Sequence, residues 1–152
     1  MRKISFETDS PAAESWLDLN KIARVAVTSE DPNNPIESAF MDGASGWRAG
    51  GKGEQTIRLA FDKPQRIHRI FLRFVETQAE RTQEFSLQWL PDRKGKAHEI
   101  VRQQWNFSPH GATIEIEDYR VDLDGVGILE LRIDPDVSHG DCVATLAEWR
   151  VA

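Results

Sequence analysis

Four side chains in the second half of the sequence suit the binding of a polar, ring-shaped ligand: Arg81, Trp105, Phe107 and His110. An arginine presents a planar fork of hydrogen-bond donors, and an imidazole can donate or accept. The flat ring of a tryptophan or phenylalanine can stack on the weakly apolar face of such a ligand. Both aromatic residues could equally belong to the core, since both types are often buried. The pattern therefore predicts a ligand site at these four positions and leaves the burial of the two rings open.

No grouping of residues points to catalysis. The four histidines lack metal-ligand spacing, and neither HExxH nor GxSxG occurs. His139 and Cys142 stand three residues apart in a glycine loop, which implies no general-base geometry. Glu115 and Glu117 share one face of a predicted strand, which suits solvent better than a buried acid/base pair. We therefore expect a protein that is not an enzyme.

The elements that must position these side chains are short strands separated by turn sequences. Turn signals recur about every ten residues, for example at 62–64, 91–95, 108–111 and 134–136, and this spacing is typical of an all-β sandwich or barrel. Strands are predicted at residues 22–28, 55–61, 67–75, 84–90, 98–107, 113–121, 127–133 and 144–151, with a further short strand at 3–7 and a turn or helix start at 9–11.

The strand order brings the predicted ligand residues together. A single hairpin at 91–96 joins two strands, so the polar loop at 76–83 and the turn at 108–111 should lie at the same end of the sheet. The polar loop is either part of a ligand site or a solvated hairpin.

Apolar residues at alternate positions predict the core. The predicted core consists of Val25, Val27, Phe40, Ile57, Leu59, Phe61, Ile70, Leu72, Phe74, Phe85, Leu87, Ile114, Ile116, Leu129, Leu131, Ile133 and Leu146.

One stretch, residues 35–61, carries a resemblance to a known family. The run ESAFMDGASGW, followed by GEQTIRLAFDKPQRIHRIFLRF, resembles the discoidin or coagulation-factor C-type domain. The segments ARVAVTSE at 23–30 and ATLAEWRV at 144–151 resemble the first core strand and the closing strand of that family. The resemblance implies a galactose-binding-like jelly-roll β-sandwich, a fold class that includes many carbohydrate-binding modules.

The resemblance also implies a metal site. In many members a structural calcium ion lies where the DG loop meets the last strand, and Asp42 and Glu148 match its carboxylate ligands. A glycine-rich loop can add the backbone carbonyl oxygens that calcium prefers. The sequence departs from the family pattern at Ala44 and Ser45, where a second acid often stands. The alternative is that Asp42 caps its own loop through backbone N–H groups.

Composition and charge limit the number of domains, the kinds of partner and the location that the sequence predicts. The 152 residues predict a single domain over 1–152. The net charge of −6 disfavours nucleic acid, whose phosphates need a concentrated basic face. No apolar run is long enough to span a membrane. The N-terminus lacks the apolar segment of a secretory signal, and the lone Cys142 fits a reducing compartment, so the cytoplasm is the predicted location.

Two functions remain open at this stage. The resemblance favours a non-catalytic ligand-binding module, most plausibly one that binds carbohydrate. The alternative is a protein-interaction or assembly module of the same fold. A concave loop end would favour sugar, whereas a flat apolar patch would favour a protein partner.

Overall fold

The computed structural model describes residues 15–152, and their regular secondary structure is almost entirely strand, which confirms the all-β prediction. The strand at 3–7 and the turn at 9–11 lie outside the described residues. The part of the chain that the structure describes has two short helical segments, α1 (Leu19–Ile22) and a 3-10 helix (Ile36–Phe40). The strands are β1 (Ala23–Val27), β2 (Trp47–Lys52), β3 (Gln55–Val75), β4 (Arg81–Leu90), β5 (His98–Phe107), β6 (Ile114–Asp134), β7 (Val143–Leu146) and β8 (Glu148–Val151).

Two long strands, β3 and β6, each run through both layers of the sandwich. Register shifts interrupt β3 between Ala60 and Arg69, where a turn was predicted. The first half of β3 pairs with β1 and the end of β6, and its second half pairs with β8 and the start of β6. Such irregularities let a strand bend from one sheet to the other. The four strands predicted here are therefore two bent ones.

The two layers enclose one hydrophobic core. The ring of Phe74, from the second half of β3, lies 5.2 Å from the ring of Phe85 on β4, which is hydrogen-bonded into the other layer. Leu72, Leu87 and Leu129 are fully buried in the same cluster. Most of the predicted core is correct, because strand alternation places these residues on one face.

The start of β6 contradicts the prediction. Ile114 and Ile116 are 50% and 58% exposed, whereas Glu115 is fully buried. The register pairs Glu115 with the core residue Phe74, and directly opposed residues point to the same face of a sheet. Both the predicted burial of the two isoleucines and the predicted solvent exposure of Glu115 are therefore wrong.

Two further differences concern short strands. The glycine-rich segment predicted as a loop contains β2, which pairs with β7 in a separate two-stranded sheet. The closing strand predicted at 144–151 is divided at Ala147, so that β7 pairs with β2 and β8 pairs with β3. This division joins the small sheet to the sandwich.

Within residues 15–152, no helix has the length and apolar content needed to cross a bilayer. The predicted location in the cytoplasm is not tested by this finding.

Candidate functional site

The loops that carry the predicted ligand residues are neighbours, as their strand order predicted. Arg81 opens β4 directly opposite Phe107, the last residue of β5. The backbone N–H of Glu76 donates to the carbonyl of Thr113 at 2.8 Å, which ties the two loops together. We refer to this end of the sandwich as the loop end.

The Arg81 side chain, however, is turned inward. Its Nε donates to the carboxylate of Glu76 at 2.8 Å, and its Nη1 donates to the carbonyl of Pro135 at 2.9 Å. The guanidinium also lies 4.8 Å from the centre of the Phe107 ring. Burial raises the pKa of Glu76, but the hydrogen bond and charge of Arg81, together with hydrogen bonds from the backbone N–H groups of Gln78 and Ala79, hold that pKa below its usual value. Arg81 is 3% exposed and Phe107 is fully buried, so neither is presented to a ligand, and both have a structural role.

Trp105 and His110 differ in their exposure, since Trp105 is partly buried and His110 is exposed. The indole of Trp105 packs edge-on against Phe107, with ring centres 6.5 Å apart, and its Nε1 is buried without a hydrogen-bond partner. His110 is exposed in the turn that Gly111 closes by donating to the carbonyl of Ser108 at 3.1 Å. Of the four predicted ligand residues, only His110 is fully accessible, and its role stays a prediction.

Asp42 and Glu148 are both bound to the guanidinium of Arg150. The Arg150 Nη2 donates to Asp42 at 2.5 Å, and its Nε donates to Glu148 at 3.2 Å. Its Nη1 donates to the backbone carbonyl of Phe40 at 2.6 Å. Two carboxylates and a backbone carbonyl are the ligand types that a calcium ion would use. Because a guanidinium already holds all three, these residues do not fit the predicted calcium site, and no group of three metal-ligating side chains occurs within residues 15–152.

A second buried polar group lies near Arg81. The Glu115 carboxylate accepts a hydrogen bond from the amide of Gln83 at 3.1 Å, and its other oxygen is buried without a partner. Glu117 lies beside it and accepts a hydrogen bond from the hydroxyl of Tyr119 at 2.9 Å. Burial, followed by the interaction with the neighbouring Glu117 carboxylate, raises the pKa of Glu115 to about 8.

A groove that is open to solvent lies beside β7 at the loop end. Its volume is about 260 Å³. We call it the loop-end groove, and it is lined by Asn34, Ser45, Trp47, Arg48, Val75, Thr145, Leu146 and Ala147.

Gly46 explains why these residues meet. Its φ of 83° suits glycine, and a Cβ there would lie 2.6 Å from the carbonyl oxygen of Leu146. The absence of a side chain therefore lets β2 approach β7, and the register then sets Arg48 directly opposite Thr145. The backbone N–H of Arg48 donates to the carbonyl of Asn34 at 3.1 Å, which fixes the adjoining loop.

The loop-end groove combines polar groups with an apolar floor. The Asn34 amide donates to Ser45 at 3.1 Å, which leaves the amide oxygen of Asn34 available. Within residues 15–152, the exposed Arg48 guanidinium has no hydrogen bond or ion pair. Val75 and Ala147, which are partly exposed, form the apolar part of the lining, and Leu146 lies fully buried beneath it. Hydroxyl, amide and guanidinium groups around a small apolar floor suit a ligand rich in hydroxyls with a C–H face.

Sequence reasoning missed this groove because its key strand was hidden by glycines. In β2, Trp47 and Ala49 are buried while Arg48 and Gly50 are exposed, which is the alternation of a strand. Glycine at 46, 50 and 51 indicated a loop instead. The alternation across Trp47–Ala49 was the available signal.

No protein-family model and no curated protein sequence matches this chain. Solved structures do match. A family 32 carbohydrate-binding module of Clostridium perfringens NanJ, in complex with galactose, is 17% identical over 85% of this chain and 92% of its own, with a TM-score of 0.57. A second Clostridium perfringens family 32 module, in complex with GalNAc-β-1,3-galactose, is 18% identical over 90% and 99%, with a TM-score of 0.63. The family 32 module of AlyQ, in complex with 4,5-unsaturated mannuronic acid, is 19% identical over 86% and 95%, with a TM-score of 0.56.

At these identities the likeness establishes the fold. The chain has the discoidin-like, galactose-binding-like β-sandwich that the sequence predicted.

Proposed function

We propose that this protein is a non-catalytic carbohydrate-binding module whose ligand site is the loop-end groove. The observation that carries the proposal is the side-chain set of that groove, where the Arg48 guanidinium, which has no partner within residues 15–152, shares the lining with hydroxyl, amide and apolar groups. The shared fold supports it, because the solved modules named above were determined with sugars.

Each part of the groove has a separate role in the proposal. Arg48 donates to ring or hydroxyl oxygens, and the Asn34 amide oxygen and Ser45 hydroxyl fix the orientation of the sugar through neighbouring hydroxyls. Val75 and Ala147, which are both partly exposed, contact the C–H face of the ring. The groove is small, so it takes one monosaccharide unit of a larger glycan. The protein binds this unit without changing it.

Calorimetry with galactose and GalNAc, guided by a glycan array, tests the proposal. Arg48→Ala should weaken binding at least about tenfold, because a charge-assisted hydrogen bond is lost. Arg66→Ala is the matched control, since Arg66 is also exposed but pairs with Asp122 in the strand bend of β3 and β6. The melting temperature should be unchanged in both variants. Failure of the wild type to bind any glycan, or full affinity in Arg48→Ala, would overturn the proposal.

Docking to another protein is the second candidate, and one observation favours it. Ile114 and Ile116 project from the outer face of β6 at 50% and 58% exposure. Exposed apolar residues side by side are one feature of protein-binding surfaces. Replacing both with Thr should leave sugar affinity unchanged if the groove is the functional site. Self-association of the wild type that disappears in this variant would favour docking.

A further inference from the structure

A second concave surface lies on the outer face of the larger sheet. It has a volume of about 320 Å³ and is formed by β1, β3, β6 and the turn between β4 and β5. We call it the arginine groove, and the residues that matter are Arg24, Arg58, Arg93, Ala26, Ala60 and Ile128. It shares no lining residue with the loop-end groove.

The strand register builds the floor. Arg24 stands opposite Ala60, which in turn stands opposite Ile128 on β6. In the neighbouring row, Ala26 stands opposite Arg58. Opposed residues share a face, and these face away from the core. The two alanines are short, so they leave a shallow apolar depression between the longer arginines.

The turn between β4 and β5 forms the wall. At Gly127 a Cβ would lie 2.2 Å from the carbonyl oxygen of Pro91, so only glycine lets the turn sit this close to β6. The turn is held by two hydrogen bonds to Asp92, from the backbone N–H groups of Lys94 at 2.9 Å and Gly95 at 3.2 Å. Arg93 is therefore carried on a defined turn to the edge of the groove.

The charges of the groove are not balanced internally. Arg58 donates twice to Glu130, at 2.9 and 2.6 Å. Arg24 and Arg93 are exposed, and within residues 15–152 neither guanidinium has a hydrogen bond or ion pair. The chain has 25 acidic residues against 19 basic ones, so two arginines without an acidic partner on one concave surface are an exception to its general charge. This surface has the charge to attract an anion.

We propose that the arginine groove binds an acidic saccharide, with its carboxylates paired to Arg24 and Arg93. An arginine fork matches a carboxylate in two parallel hydrogen bonds. The apolar floor of Ala26, Ala60 and Ile128 suits the C–H face of a sugar ring. An isolated phosphate has no such face and would leave this floor uncovered. The choice of a saccharide rests on the function proposed above, whereas the site itself is separate.

Calorimetry with an oligogalacturonate and with the same oligomer after methyl esterification tests this site. The wild type should bind the acid form at least about tenfold more tightly than the ester, and this preference should weaken as salt rises. Arg24→Gln with Arg93→Gln should lose the preference. Lys52→Gln with Arg102→Gln removes the same charge elsewhere and should keep it, since Lys52 and Arg102 are paired with Asp141, Glu84 and Glu99.

The Arg48→Ala variant separates the two proposals. It should lose galactose binding and keep the acid preference. If galactose binds but the oligogalacturonate does not, the arginine groove proposal fails and the loop-end proposal stands. An acid preference that survives Arg24→Gln with Arg93→Gln would also overturn it. Equally tight, equally arginine-dependent binding of polyphosphate would overturn the saccharide assignment.

Discussion

Arg81 at the loop end and the two free arginines of the outer sheet face, Arg24 and Arg93, have opposite environments. Arg81 is buried and bonded to Glu76 and Pro135, whereas Arg24 and Arg93 are exposed and unpaired within residues 15–152. A guanidinium enclosed by its own protein has no donors left for a ligand and becomes part of the framework. An arginine at the ligand-binding end of the fold is therefore not necessarily a ligand residue. Its role depends on how many of its N–H donors are left without a partner in the protein.

The largest loss of stability is expected when Arg81 is replaced. Arg81→Ala leaves the buried Glu76 carboxylate without its cation and empties space beside Phe107. Removing one partner of a buried ion pair costs about 3–5 kcal/mol. Urea denaturation should show a loss of this size. Arg24→Ala, at an exposed position, is the control and should stay within about 0.5 kcal/mol of the wild type. Equal stabilities of the two variants would remove the distinction between framework and ligand arginines.

Glu115 extends the comparison to a buried acid that has no cation bonded to it. Its pKa of about 8 in the folded protein lies above its ordinary value of 4.5. Folding therefore favours the protonated form, and this group's contribution to stability is full below pH 4.5 and is lost as the pH rises toward 8. Glu115→Gln, which stays neutral, should stabilise the protein by about 1–3 kcal/mol at pH 8.

Unfolding measured from pH 4 to pH 9 checks this prediction. The variant should show a flatter profile than the wild type. Glu80→Gln serves as the control, because Glu80 is exposed and should leave the profile as in the wild type. A wild-type stability that rises between pH 5 and pH 8, with no change in the Glu115→Gln profile, would contradict the prediction.

A smaller effect is expected at Arg150, which is intermediate between the two regions. It joins the Phe40 carbonyl to Asp42 and Glu148, but the Asp42 side chain is 95% exposed, so solvent screens that pair. Arg150→Ala should cost about 1–2 kcal/mol. A chelator should leave the wild-type melting temperature unchanged, because the guanidinium stands where a calcium ion would bind. Calcium that raises the wild-type melting temperature would show that the arginine does not replace the ion.

Much of the framework could be read from the sequence, because strand alternation and turn residues are local signals. β5 was predicted with its observed bounds, His98–Phe107, and the turn signals of Pro91–Gly95 and Ser108–Gly111 flank it as expected. The resemblance carried by residues 35–61 led to the correct fold. The meeting of the loops beside Arg81 and Phe107 followed from one hairpin, and the register confirms it.

The burial of individual side chains could not be read in the same way. A strand of period two fits either face, so Ile114 and Ile116 looked like core residues until pairing with β3 placed Glu115 inside. β2 carried too many glycines to indicate a strand, and only its approach to β7 across Gly46 made it one.

The fold class, most strand positions and the end of the sandwich where the loops lie therefore follow from local sequence patterns, because they depend on neighbours along the chain. Which arginine side chains are free to bind a ligand depends on the tertiary structure. Arg81 is bonded to Glu76, and Arg150 is bonded to Asp42, a residue of the predicted calcium site. Within residues 15–152, the side chains of Arg48, Arg24 and Arg93 have no partner. The physical reason is that a charge is neutralised by whatever lies within a few ångströms of it. Arg81 and Arg150 each combine a neighbour close in sequence, Glu76 or Glu148, with one that only the fold brings near, the Pro135 carbonyl or Asp42. Arg48, Arg24 and Arg93 have no such neighbour within residues 15–152.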